Sequence, residues 1–202
     1  MTKKVSNNQK VLSLARERGI IRVQDLKDEG IHPECLRRMV SQGLMTQTGR
    51  GLYIMADAEV STHHSLAQVS KWMPNGVVCL LSALEFHNVG TQNPFEVWFA
   101  LERNIASPRI QYPPLRIVRF SGESFSKGIE EHRIENIIVK VYSPGKTVAD
   151  CFKYRNKVGL DVAIEALRDC MKQRLCTNDE LWNFSRVCRV SNVMKPYLES
   201  II

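Results

Sequence analysis

Arg37 and Arg38 stand side by side, Ser41 follows three positions later, and Arg50 sits between two glycines nine residues further on. A guanidinium offers a planar fork of N–H donors that matches the paired acceptors of a guanine edge or a phosphate, and a hydroxyl suits either. These side chains are therefore equipped to recognise a polyanion. Bond-making arrangements are not legible beside them. The chain has no GxxxxGK[ST] phosphate loop, no GxGxxG, no GxSxG elbow and no HExxH. Ser143-Pro144-Gly145-Lys146-Thr147 ends like a phosphate loop but lacks the earlier glycine, so a loop leading into a capped helix is expected. His63 and His64 are adjacent; on a helix that sets them about 100° apart, a poor arrangement for one metal, and surface polar residues are expected. Cys151 has Asp150 and Lys153 nearby and no histidine close in sequence, which reads as core. Glu85, Glu96 and Asp150 are carboxylates that a nuclease site would have to gather, and no spacing demands it. No catalytic residue, metal or cofactor is expected.

The elements that must position the arginines are legible. A helix from about Gln9 to Arg18 carries Val11, Leu12, Leu14 and Ala15 and stops at Gly19. A second runs from Val23 to Glu29, anchored by Val23 and Leu26 and ended by Gly30. Pro33 suits the first turn of a third, Pro33 to Gln42. In this third helix Leu36, Met39 and Val40 face the core by their i, i+3, i+4 spacing, and Glu34, Arg37, Arg38 and Ser41 take the opposite face. A hairpin follows, with Leu44-Met45-Thr46 and Leu52-Tyr53-Ile54 as strands and Gly49-Arg50-Gly51 at its tip. Three helices and a glycine-punctuated hairpin in that order make a winged helix-turn-helix. Its third helix would enter the DNA major groove while the hairpin meets the backbone. The candidate DNA-contacting residues are Arg22, Lys27, His32, Glu34, Arg37, Arg38, Ser41, Gln47 and Arg50.

Beyond a linker at 56–60, Ser61 or Thr62 is expected to cap a helix reaching about Trp72. Ser82 is expected to cap a helix through His87, with strands at Phe95–Leu101, Leu115–Phe120 and Ile134–Tyr142. After Ser143-Pro144-Gly145 the chain turns helical. A helix from about Asp161 to Lys172 would bury Leu160, Ala163, Ile164, Leu167, Cys170 and Met171, and Thr177 with Glu180 forms a capping box for the next. The fold class is α+β: a winged helix-turn-helix at 1–57, then a larger mixed α/β domain at 61–202 with a helical C-terminus.

Composition sets the outer bounds. With 44% hydrophobic and 24% charged residues, 202 residues are enough to bury a core, which argues against disorder. The net charge of +7 is uneven: residues 1–57 hold ten Lys/Arg against six Asp/Glu, and the remainder eighteen against fifteen. A concentrated basic surplus suits a polyanion partner. The six cysteines include no CxxC pair, and no apolar run approaches 18 residues, so a cytoplasmic chain with no membrane contact is expected. Lys153-Tyr154-Arg155-Asn156-Lys157 interleaves cations with an aromatic ring. Lys153, Tyr154, Arg155 and Lys157 are candidate contacts for a nucleic acid or an acidic protein, with a solvated helix end as the alternative.

Set together, the winged module with its GRGLY hairpin, Ser82-Ala83-Leu84, KTVADCFKYR at 146–155 and GLDVAIEAL at 159–167 resemble the AbiEi antitoxins of type IV toxin–antitoxin (abortive infection) systems. The likeness covers roughly residues 8–200. It implies a non-enzymatic phage-defence protein with two roles. The N-terminal domain would bind inverted repeats in its own promoter and repress the operon. The C-terminal domain would counteract a cognate nucleotidyltransferase-like toxin, directly or functionally. The residues also admit a stand-alone winged-helix regulator, a protein-interaction module, or a nuclease or nucleotidyl-transfer enzyme.

Overall fold

In the computed structural model, which describes residues 6–107, 110 and 112–200, Ser6 opens the first helix, α1 (Asn7–Arg18). Its hydroxyl accepts from the Gln9 N–H and the Gln9 side chain accepts from the Ser6 N–H, a capping box. There follow β1 (Ile21–Arg22), α2 (Val23–Asp28), α3 (Glu34–Ser41), β2 (Met45–Gly49), β3 (Leu52–Met55) and α4 (His64–Trp72). The strands form an antiparallel sheet in the order β1-β3-β2. Val11, Ala15, Ile21, Leu26, Leu36, Met39 and Met45 build its core.

Two stops of this module are Schellman motifs. After α2 the Gly30 N–H reaches the Lys27 carbonyl and the Ile31 N–H the Leu26 carbonyl; after α3, Gly43 and Leu44 do the same to Val40 and Met39. Both glycines are left-handed, with φ of 67° and 69°, where a Cβ would be penalised.

The chain packs as two units: the stretch up to Pro74 together with Arg133–Ile138, and Asn75–His132 together with Val139 onward. The first unit thus reaches beyond the expected 1–57, through α4, and takes in a turn from much later in the chain. The first five and last two residues of the expected domains lie outside the described ones.

The second unit contains β4 (Val77–Val78), α5 (Leu80–Phe86), β5 (Val97–Glu102), β6 (Leu115–Phe120), α6 (Glu123–Ser126), β7 (Ile129–Ile134), β8 (Ile137–Tyr142), α7 (Pro144–Lys153), α8 (Arg155–Val158), α9 (Leu160–Lys172), α10 (Asn178–Val187) and α11 (Ser191–Glu199), although Arg133–Ile138, where β7 turns into β8, packs with the first. The sheet order is β6-β5-β4-β8-β7. It is mixed, with β4 antiparallel to β5 and parallel to β8, and β5 parallel to β6. The architecture is α+β with a helical C-terminus.

Several local expectations need correction. The run 134–142 is not one strand but the end of β7, a turn at Glu135-Asn136 and all of β8. Both turn residues have positive φ, 48° and 64°, the I′ pattern usually written Asn-Gly; the glutamate hides it. Phe95 lies outside β5 and is 84% exposed. Neither Ser61 nor Thr62 caps α4, whose N-cap is His63; the Ser61 N–H instead donates to Glu135 Oε1 at 2.8 Å. Ser82 is not a cap either. It is buried inside α5, accepts from the Trp98 N–H at 3.0 Å and so ties the helix to β5. The buried stripe of α9 is Val162, Ala163, Ala166, Leu167 and Cys170. Leu160 is left 39% exposed and Ile164 half-buried. The capping box of α10 forms as expected from Thr177 and Glu180.

The central helix of the second unit is α7. Val148, Ala149, Cys151 and Phe152 are wholly buried, and so are Lys146 and Asp150. Lys146 Nζ lies 2.6 Å from Asp150 Oδ2 and 4.2 Å from the centre of the Tyr142 ring. The Cys188 thiol donates to the other carboxylate oxygen of Asp150 at 3.2 Å. Burial pushes the Asp150 carboxyl above its usual range, opposed by the adjacent ammonium. The Gly-Lys-Thr fragment is therefore the first turn of a buried helix, and Lys146 is unavailable to a phosphate.

Candidate nucleic-acid interface

The candidate recognition face is built by α3. Cys35, Leu36 and Met39 are buried and Val40 half-buried, which leaves Glu34, Arg37, Arg38 and Ser41 exposed together on one shallow groove. Cys35 extends the buried stripe beyond the one read from Leu36, Met39 and Val40; a free thiol packs there as a small hydrophobe. Arg37 Nη1 lies 3.6 Å from Glu34 Oε2, but both side chains are more than half exposed. Such a pair contributes little and yields easily to a phosphate. Arg38 donates from Nη2 to the Cys35 sulfur at 3.6 Å. Ser41 donates its hydroxyl to the Arg38 carbonyl at 2.8 Å, which occupies the proton but leaves the oxygen as an acceptor.

The rest of the expected set divides. Lys27, His32, Gln47 and Arg50 are exposed. His32 Nδ1 accepts from the Glu34 N–H at 3.2 Å, and so serves the start of α3. Gln47 bonds the Gly49 carbonyl at 3.1 Å, across the bulge where β2 slips register against β3. Arg50 stands at the hairpin tip, immediately after β2. Arg22 is half-buried and turned to Asp25, 3.7 Å away, and so differs from its exposed companions.

Asp25 is a residue whose structural role the sequence pattern does not disclose. It is 5% exposed, accepts from the Arg22 N–H at 2.7 Å and pairs with Lys71 Nζ at 3.0 Å, tying α2 to α4. Burial alone would raise its pKa; the Arg22 N–H, the Lys71 hydrogen bond and the two cationic charges outweigh burial and lower it. A carboxylate with a depressed folded pKa contributes stability above its unfolded value and loses it as pH falls through the folded one. The first unit should therefore lose stability as pH drops below about 4. Asp25→Asn should flatten that acid limb in thermal melts recorded between neutral and strongly acidic pH.

The wing is braced from behind by side chains of α4. Gln68 Nε2 donates to the Thr48 carbonyl of β2 at 3.2 Å and lies 2.9 Å from His64 Nε2. His64 Nδ1 lies 2.6 Å from Glu135 Oε2. With Gln68 donating to Nε2, the imidazole proton is assigned to Nδ1 and donated to the carboxylate. His64 is thus a half-buried link in a structural network rather than a surface polar residue.

In the second unit the expected cluster is partly dispersed. Arg155 folds back to donate to the Phe152 carbonyl at 3.0 Å, and Lys157 lies 5.6 Å from the centre of the Tyr154 ring. Lys153 and Tyr154 instead line a cavity with Arg119, Arg186 and Arg189. Those arginines lie on β6, in α10 and just beyond it, with no spacing that links them in sequence. The nuclease-type carboxylates are separately engaged, Asp150 by Lys146 and Glu96 by Arg116. Burial raises the Cys151 thiol pKa far above the usual range, so it stays protonated core. Among the described residues no group of three or more His, Cys, Asp or Glu could hold a metal, and no helix is long and apolar enough to cross a membrane.

No curated protein matches the chain. Among solved structures, the RV2827C protein from Mycobacterium tuberculosis is similar, with a TM-score of 0.62 and 13% identity over 96% of this chain and 78% of that one. At that identity the likeness speaks for the fold alone. Residues 9–56, α1 to the end of the wing, match the family model described as transcriptional regulator, AbiEi antitoxin. Over this N-terminal module the chain is similar to the AbiEi antitoxin transcriptional regulators.

Proposed function

We propose that the chain is an antitoxin that represses its own operon, binding inverted repeats in the promoter through α3 and the wing, and that counteracts a nucleotidyltransferase-like toxin without being an enzyme itself. The observation that supports the DNA half is the exposed α3 face with two unburied guanidiniums, Arg37 and Arg38. The antitoxin half is supported by the family of the N-terminal module. Each bidentate arginine–guanine pair contributes about 1–3 kcal/mol of discrimination, whereas a phosphate contact weakens all sequences alike.

Fluorescence anisotropy on a fragment of the chain's own promoter, at fixed salt, tests the assignment. Arg37→Ala with Arg38→Ala should weaken operator binding by about tenfold or more per base contact and erase the preference over scrambled DNA. Arg50→Ala should weaken both DNAs equally and reduce the salt slope by about one. Unchanged affinity in the double variant would remove α3 as the reader. The toxin half is tested by growth rescue on co-expression with a toxic nucleotidyltransferase. The Arg37/Arg38 variant should still rescue while failing to repress. Repression without rescue would reduce the chain to a plain regulator.

A further inference from the structure

The cavity at the end of β6 has no part in the DNA reading. It is bounded by Ser121–Ser124, the C-terminal end of α7 and the last turn of α10, and its volume is about 590 Å³, ample for a small ligand. Its wall carries four cations, Arg119, Lys153, Arg186 and Arg189, and one carboxylate, Glu123. Among the described residues no ion pair engages Lys153, Arg186 or Arg189. Among the described residues the Arg119 guanidinium bonds neutral acceptors, the carbonyls of Glu102 and Ile105 and the hydroxyl of Ser107. The buried carboxylate beneath, Asp150, is already matched by Lys146.

Like charges gathered on one concave wall repel each other and focus a positive potential into the space between them. The backbone at Arg189 adds to this. Its N–H bonds the Arg186 carbonyl and the Val190 N–H bonds the Ser185 carbonyl, so Arg189 holds the C′ place of a Schellman motif at φ 58°. Glycine fills the same place after α2 and α3, and an arginine there accepts a left-handed backbone with a Cβ. The guanidinium thereby kept on the wall has a neutral alternative in glycine that the chain does not use.

We infer that this cavity binds the polyphosphate of a nucleotide, with Arg186, Arg189, Lys153 and Arg119 as its counter-charges. Guanidinium forks take phosphate oxygens in pairs, and several cations around one space match a multiply charged anion better than a single carboxylate. Two sources share this chemistry, a free nucleoside triphosphate and the 5′-triphosphate end of an RNA strand. The site is independent of operator recognition, because none of its residues belongs to the α3 and wing set.

Calorimetric titration of the full chain at low salt decides, with four probes: ATP, inorganic tripolyphosphate, a short 5′-triphosphorylated RNA and its 5′-hydroxyl counterpart. The wild type should bind ATP or the triphosphorylated RNA saturably. Arg186→Gln with Arg189→Gly should lose about tenfold or more in affinity, in keeping with loss of charge-assisted bonds. Glycine relieves the left-handed position and Arg186 is exposed, so the thermal midpoint and operator affinity of this variant should hold. Lys153→Gln, also exposed, is the second variant and should weaken the same probe. Binding of ATP and tripolyphosphate without the RNA identifies a free nucleotide; binding of the triphosphorylated RNA alone identifies a strand end. The inference fails if no probe binds saturably, if the variants bind as the wild type does, or if the 5′-hydroxyl RNA binds as tightly as its triphosphorylated form.

Discussion

Asp150→Leu is expected to cost about 3–5 kcal/mol, because it strands the Lys146 ammonium in the core with its partner gone. Both side chains are wholly inaccessible, their charged atoms 2.6 Å apart, and the surroundings are the rings of Tyr142 and Phe120 and the Cys188 thiol. Lys146→Met should do comparable damage from the other side. The double variant Lys146→Met with Asp150→Leu should recover most of the loss, because a well-packed apolar pair replaces a buried ion pair at little net cost. Chemical denaturation of the four proteins closes a double-mutant cycle. Additive losses, or a double variant worse than either single, would show that the two charges do not stabilise one another.

Gly19→Ala should destabilise the first unit by about 2–5 kcal/mol, the sum of a left-handed backbone penalty and a forced displacement in a packed contact. Gly19 has φ 68°, and a Cβ built on it would sit 1.9 Å from the Glu135 carbonyl oxygen. That atom belongs to a two-residue turn with both φ values positive, so it has little freedom to retreat. The same turn supplies Asn136 Nδ2, 3.5 Å from the Arg16 carbonyl, and the Glu135 carboxylate that holds His64. The Gly19→Ala melt should show the first unit loosening, with operator binding weakened through the wing. Gly51→Ala serves as control, since it shares the positive φ of 73° but has nothing within 4 Å; it should carry only the backbone penalty, about 1–2 kcal/mol. Equal losses at both positions would dismiss the Glu135 contact as a source of stability.

Local periodicity determined what depends on neighbours within a few residues. The apolar spacing of α1 and α3, the glycine stops, the hairpin and the opposite face with Arg37 and Arg38 all follow from repeats of about 3.6 and 2 residues and from the freedom of glycine at positive φ. They are legible because each signal lies inside one element. The same reasoning misplaced α4 and α5 starts, since Ser61 and Ser82 have cap chemistry but found stronger partners in Glu135 and Trp98, 74 and 16 residues away. It also ran β7 into β8, because Glu135 and Asn136 adopt a turn that their types only weakly announce.

Tertiary structure alone decided the rest. A lysine and an aspartate four residues apart look like a surface helix pair until the sheet and the helices packed on α7 close over them and remove the water. Asp25 becomes a brace only when Lys71 arrives from α4. The basic cavity draws on Arg119, Lys153, Arg186 and Arg189, residues up to 70 positions apart, and no sequence period records that approach. By itself the chain's sequence determined which helix carries the exposed arginines and which glycines turn, because propensity and spacing are local. Which charges end up buried, paired or left facing one another was settled by packing, where long-range burial sets both the dielectric and the partners.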